Sequence, residues 1–136
     1  MRVKEPKRPF DETLEVLENA FRHLEAKVPP PNRMPWRNGF VVRYTEKTIQ
    51  QAIIQKLARS ISGLYAVDLL LDRGLFQEQG MVQRALDEID EDIEFLSLGI
   101  IYGDVTALHQ QYLNFFMRRS SKIHRTSWAR TRAEGW

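Results

Sequence analysis

The chain has 136 residues, enough for one domain with its own core, and its 43% hydrophobic content against 28% charged excludes a polypeptide too polar to fold. It contains no cysteine, which excludes disulfides and cysteine-ligated zinc, and no apolar run approaches the ~20 residues of a membrane helix. The formal charge of +2 is unevenly divided: residues 118–136 carry six Lys/Arg and one Glu, so residues 1–117 sum to −3.

The opening residues, "MRVKEPKRPF", are basic with no apolar stretch behind them, so no secretory signal is expected and the reading is of a soluble cytoplasmic chain without membrane contact. A first helix is expected from about Asp11 to Lys27, with Pro9 before it and Asp11 placed to accept the free amides of the first turn. Leu14, Leu17, Phe21, Leu24 and Val28 give it one apolar stripe. "VPPPNRMP" then stops it, because proline has no amide proton and clashes with the preceding turn. Residues 29–44 read as a proline-rich irregular connector. Asn38-Gly39 is a turn signal, and Phe40 to Tyr44 form one extended segment with no partner strand in view. Trp36 and Phe40 are expected to anchor the loop to the helices beneath it.

A second helix is expected from about Thr45 to Arg73, with Ile53, Leu57, Ile61, Leu64 and Leu71 on one face. Ser60, Ser62 and Gly63 are small enough for a neighbouring helix to approach closely at that level. Gly74 closes the helix by taking a left-handed conformation. One or two residues later a third helix begins, from about Phe76 to Tyr102, which predicts an antiparallel helical hairpin. Asp104 or Thr106 caps a fourth helix carrying Leu108, Tyr112, Phe115 and Phe116. Beyond Met117 the apolar periodicity ends. The expected organisation is a basic segment 1–9, a helical domain 10–117 and a flexible basic tail 118–136. The expected fold is all-α, an antiparallel bundle of about four helices.

Carboxylates crowd residues 72–96, "DRGLFQEQGMVQRALDEIDEDIEFL". With Ile89 at the centre of the third helix's buried face, Val82, Ala85, Leu86, Ile93 and Leu96 fall beside it, whereas Asp87, Asp90, Glu91 and Glu94 point to water. Glu88 and Asp92 stand one turn apart at the stripe's margin, with Glu78 on nearly the same side; Lys56, Arg59 and Arg84 are cations within reach. Asp68 lies in line with Leu57, Ile61 and Leu64, where an unpaired carboxylate is costly, and Arg84 across the hairpin is its expected partner. The candidate site is therefore a polar core-edge cluster of Asp68, Glu78, Arg84, Glu88 and Asp92. Glu78, Glu88 and Asp92 also suit a divalent metal between helices, the reading of a metal-dependent bundle enzyme. The Glu-x-x-His pairs of di-iron bundles are absent, and no metal or cofactor is expected. His23, His109 and His124 read as surface or boundary residues, and no nucleophilic triad or phosphate-cradling glycine loop stands out.

Three resemblances follow from quoted residues. The spacing of Asp87, Asp90, Glu91 and Glu94 resembles the acidic motif of MazG-type nucleotide pyrophosphohydrolases, but the family's second acidic motif is missing from the facing helix. "RSSKIH", Arg119 to His124, resembles the Arg-x4–6-His pattern of HEPN-type ribonucleases, which are small helical domains. That resemblance implies an RNA-cleaving toxin or defence domain, with Arg119 and His124 at a dimer interface promoting attack of a ribose 2′-hydroxyl on the adjacent phosphate. Residues 44–96 resemble uncharacterised bacterial helical proteins sharing A-x-x-L-L-x-x-G then E-x5-R-x3-E, here Ala66, Leu69, Leu70 and Arg73-Gly74 (one residue late), then Glu78, Arg84 and Glu88. This implies a helical hairpin and a bacterial or phage origin, and brings no activity with it. The segment after Phe116 departs from that group's acidic, Phe-rich continuation. The leading expectation is a small helical protein that acts through protein contact, chiefly self-association, with nucleic acid as a further partner of the basic tail.

Overall fold

Helix α2 (Ile49–Asp72) is packed against by both α1 and α3. The computed structural model describes residues 8–46 and 48–116. In chain order these form α1 (Asp11–Glu25), β1 (Asn32–Trp36), β2 (Gly39–Arg43), α2, α3 (Phe76–Ile101) and α4 (107–116). The protein is thus mostly helical, with four helices and one small antiparallel sheet among the described residues. None of the described helices is long and apolar enough to cross a membrane.

Each helix boundary has a local cause. Thr48 sits in extended backbone before α2 and its hydroxyl accepts the Gln51 amide at 3.2 Å. At the other end Gly74 takes φ 72°, the Gly74 amide bonds Leu71 O at 3.1 Å and the Leu75 amide bonds Leu70 O at 2.9 Å. Those two bonds are the Schellman pattern, and they turn the chain straight into α3. At α1 the expected cap is inverted. Asp11 is the first helical residue, and its carboxylate accepts the amide of Arg8 at 2.8 Å instead of those ahead of it.

The expectation that fails is the irregular connector. Residues 32–43 form a two-stranded ribbon in which Asn32 pairs Arg43 and Trp36 pairs Gly39. The turn residues are Arg37 and Asn38, one place earlier than the Asn38-Gly39 signal, and Arg37 adopts φ 51°. Two-residue hairpins need that positive φ to match strand twist. Pro35 argues against a strand inside a sheet, yet in a ribbon both strands are edges and a proline is tolerated where its nitrogen faces outward. Phe40 is no anchor either: it is exposed, and the Arg33 guanidinium lies 4.3 Å over its ring.

The core lies at the N-terminal half of α2, where Ile49, Ala52 and Ile53 meet Leu96 of α3 and Leu113 of α4, with Leu24 of α1 packed against them. The small residues of α2 act as expected, since a Cβ added at Gly63 would meet Leu86 Cδ2 at 2.5 Å. On α3, Leu86 and Leu96 are buried while Asp87, Asp90, Glu91 and Glu94 are exposed, as the helical period requires. This packing leaves a cleft lined by α2, α3 and residues 112–116 of α4.

Candidate functional site: a cleft at the end of α4

Along α2 the buried positions Ala52, Ile53, Lys56, Leu57 and Ser60 follow one helical stripe, and they include a lysine. Its alkyl stem is buried with the apolar residues, while Nζ reaches Asp92 of α3 at 2.7 Å. The ammonium also lies 5.5 Å from the centre of the Tyr112 ring and 4.8 Å from that of Phe116. Burial, and then the nearby Asp92 carboxylate, push the Tyr112 phenol well above the usual tyrosine range. Lysine, carboxylate and phenol thus lie together on the floor of a cleft of about 670 Å³. Tyr112 and Phe116 stack with centroids 6.2 Å apart, Ile89 of α3 lies opposite, and Arg59 and Glu88 line the cleft from α2 and α3.

Helix α4 holds this wall in place through a cap built on His109. The Thr106 amide donates to His109 Nδ1 at 3.2 Å, the Thr106 hydroxyl shares the same nitrogen at 2.8 Å, and the His109 amide donates to Thr106 Oγ1 at 3.4 Å. This is a reciprocal cap with histidine in the place usually held by glutamate. Because Nδ1 accepts, Nε2 carries the hydrogen, and it donates to the Phe95 carbonyl at 2.9 Å. The ring also stacks on Phe95 at 4.4 Å. His109 is thus a buried structural residue, not the boundary residue expected. His23 is exposed and donates from Nδ1 to Asn19 O at 2.9 Å.

The chain matches no family model, no curated protein and no solved structure. The reading of the site rests on its geometry.

That geometry disperses the expected polar cluster. Asp68 finds its cation, but the cation is Arg8, at 2.9 Å, and not Arg84; Arg8 also reaches Asp72 at 3.7 Å. Asp68 keeps 22% of its side chain exposed, so it is an edge residue tied to the N-terminal segment. Glu78 and Arg84 are exposed on α3 towards the hairpin tip. Only Glu88 and Asp92 meet, in the cleft. Among the described residues no group of three or more His, Asp or Glu side chains is arranged to hold a metal ion. On the outer acidic row Asp90 is pushed upward by partial burial and then by Asp87. Arg119 and His124 lie outside the described residues. Sequence reasoning placed Lys56 among the cations within reach of Glu88 and Asp92 without counting it in the site, and read Tyr112 only as part of α4's apolar stripe. The available signal was a lysine within the period of a buried stripe, facing a helix with a carboxylate at its own stripe's margin.

Proposed function

We propose that the four helices form an antiparallel bundle whose role is association with a second copy of the chain, through the outer face of α3 and the start of α4. One observation carries this. Of the 26 residues of α3, only Leu86, Leu96 and Gly99 are buried, so a helix spanning the whole domain is left with one side uncovered. On that side the helical period puts Leu98, Ile101 and Tyr102 together, beyond the acidic row of Asp87, Glu91 and Glu94. Ile101 and Tyr102 are 71% and 75% exposed, and Val105 and Leu108 continue the apolar surface onto α4, Leu108 being 60% exposed.

At ~100 Å² each, these five side chains offer on the order of 500 Å², a large share of the ~800 Å² that each partner contributes to a standard interface. The carboxylates beside them suit the polar rim that such interfaces carry. A second copy is the occupant that charge favours, because the same chain supplies both an acidic face and, in residues 118–136, a net +5 segment.

Light scattering at micromolar concentration is expected to give twice the chain mass. The double substitution Ile101→Glu, Leu108→Glu is expected to return the monomer with an unchanged circular dichroism spectrum. A wild-type monomer at every concentration overturns the reading.

A further inference from the structure

The cleft at the end of α4 has a division of labour that packing does not require. Its floor is internally neutral, because Lys56 is paired with Asp92 at 2.7 Å. Its rim is not. Arg59 comes from α2 and Glu88 from α3, both are exposed, and among the described residues neither forms a hydrogen bond or an ion pair. Two opposite charges thus stand on different walls of one concavity, neither paired with another of the described residues. The same cleft is lined by a stacked aromatic pair, Tyr112 and Phe116, and by the apolar side chain of Ile89.

A ligand that complements all of this carries one anion, one cation and a flat apolar body on a short frame. The volume of about 670 Å³ falls in the range of small-molecule sites. A net anion or a net cation leaves one rim charge unmatched, and a purely apolar ligand leaves both facing a drier surface, which is unfavourable. We propose that this cleft binds an aromatic α-amino acid as its zwitterion, the carboxylate on Arg59, the ammonium on Glu88 and the ring against Tyr112 and Phe116. The planar guanidinium suits a bidentate grip on a carboxylate, and Glu88 accepts from an ammonium with three donors. This inference does not depend on self-association, because the cleft and the Ile101 to Leu108 surface lie at different levels of α3.

The test is calorimetry or chemical-shift titration of the full chain with L-phenylalanine, beside N-acetylphenylalanine, which lacks the ammonium, phenylalanine amide, which lacks the carboxylate, and alanine, which lacks the ring. Saturable binding of phenylalanine is expected, weakened about tenfold or more for each of the other three, since each lost charged contact or stacked ring is worth at least that factor. Arg59→Met is expected to weaken phenylalanine binding about tenfold while leaving the amide's affinity unchanged, and Glu88→Gln to do the same while sparing the N-acetyl compound. Both side chains are exposed, so the variants keep the wild-type melting curve. No saturation by about 10 mM phenylalanine overturns the proposal, including the case in which the chain's own residues beyond 116 fill the cleft. Equal affinity for all four compounds, or binding unaffected by either variant, overturns it as well.

Discussion

Lys56 and Asp92 make one contact but do not stand in equal surroundings: the lysine side chain is 11% exposed and the aspartate 38%. Removing either partner therefore has different consequences. Asp92→Ala strands a buried ammonium, and a loss of about 2 kcal/mol is expected, below the range for fully buried pairs because water reaches this one. Lys56→Met keeps the buried stem, and the half-exposed Asp92 retains solvent, so a loss under about 1 kcal/mol is expected. Urea midpoints of the two variants decide it, and equal losses would contradict the asymmetry. Tyr112 gives a pH signature to the same network. Its folded pKa is raised above the unfolded value, so the neutral phenol is the form that the fold favours. Its stabilising contribution is complete below about pH 10 and is lost as pH rises beyond that, where the unfolded chain releases the proton more readily. Tyr112→Phe is expected to flatten the fall in stability above pH 10, and phenolate absorbance of the wild type should show one tyrosine that ionises only as the protein unfolds. At this scale the sequence revealed that Asp68 needs a cation but not which one. Arg8 is 60 residues away in a segment with no periodicity to orient it, and pairing over that separation is set by the fold.

Elements were more legible than pairs, because a helix declares itself through a period of 3.6 and a stop. The ends of α2 and α3, at Asp72 and Ile101, fall within a residue of the expected Arg73 and Tyr102, and the glycines that follow, Gly74 and Gly103, take positive φ. Gly74 allows a clean measurement, since a Cβ placed there meets nothing within 4 Å. Gly74→Ala is therefore expected to cost about 1 kcal/mol through backbone conformation alone, with no cavity or clash contributing. Thermal melts will show it, and a neutral result would mean that the turn can rearrange without loss. The hairpin was illegible for a physical reason. Its first strand, "NRMPW", lacks alternation and contains a proline, and its turn places a positive φ on an arginine, so three rules that normally mark hairpins point elsewhere. The α4 cap was half legible: Thr106 was a candidate, but "TALH" disguises a capping box whose return bond comes from imidazole. That substitution buries the histidine that the sequence left at the surface.

For the whole molecule the consequence is a core gathered at one end and long helices that run past it. Tyr65, Leu69, Leu75, Phe76 and Met81 are exposed around the α2–α3 tip, and Leu98, Ile101, Tyr102 and Leu108 at the opposite end. Composition foresaw this only in outline, because helical stripes specify which side of a helix is apolar and not whether the chain has enough elements to cover it. The two surfaces differ in a way that bears on the proposed association. The tip lies beyond the last buried residues of the hairpin, Val67 and Leu86, where local opening is expected to be easiest, whereas Leu98 to Leu108 flank the buried Leu96, Gly99 and His109. A rigid surface loses less entropy on docking, which favours the α3–α4 end as the interface. Association linked to folding makes stability depend on concentration, because a partner that binds only the native state shifts the equilibrium by mass action. The melting temperature of the wild type is therefore expected to rise steadily across a hundredfold range of protein concentration. Ile101→Glu with Leu108→Glu is expected to abolish that dependence, while Leu69→Glu with Phe76→Glu at the tip preserves it. Dependence lost in the tip variant and kept in the other would move the interface to the opposite end of the molecule.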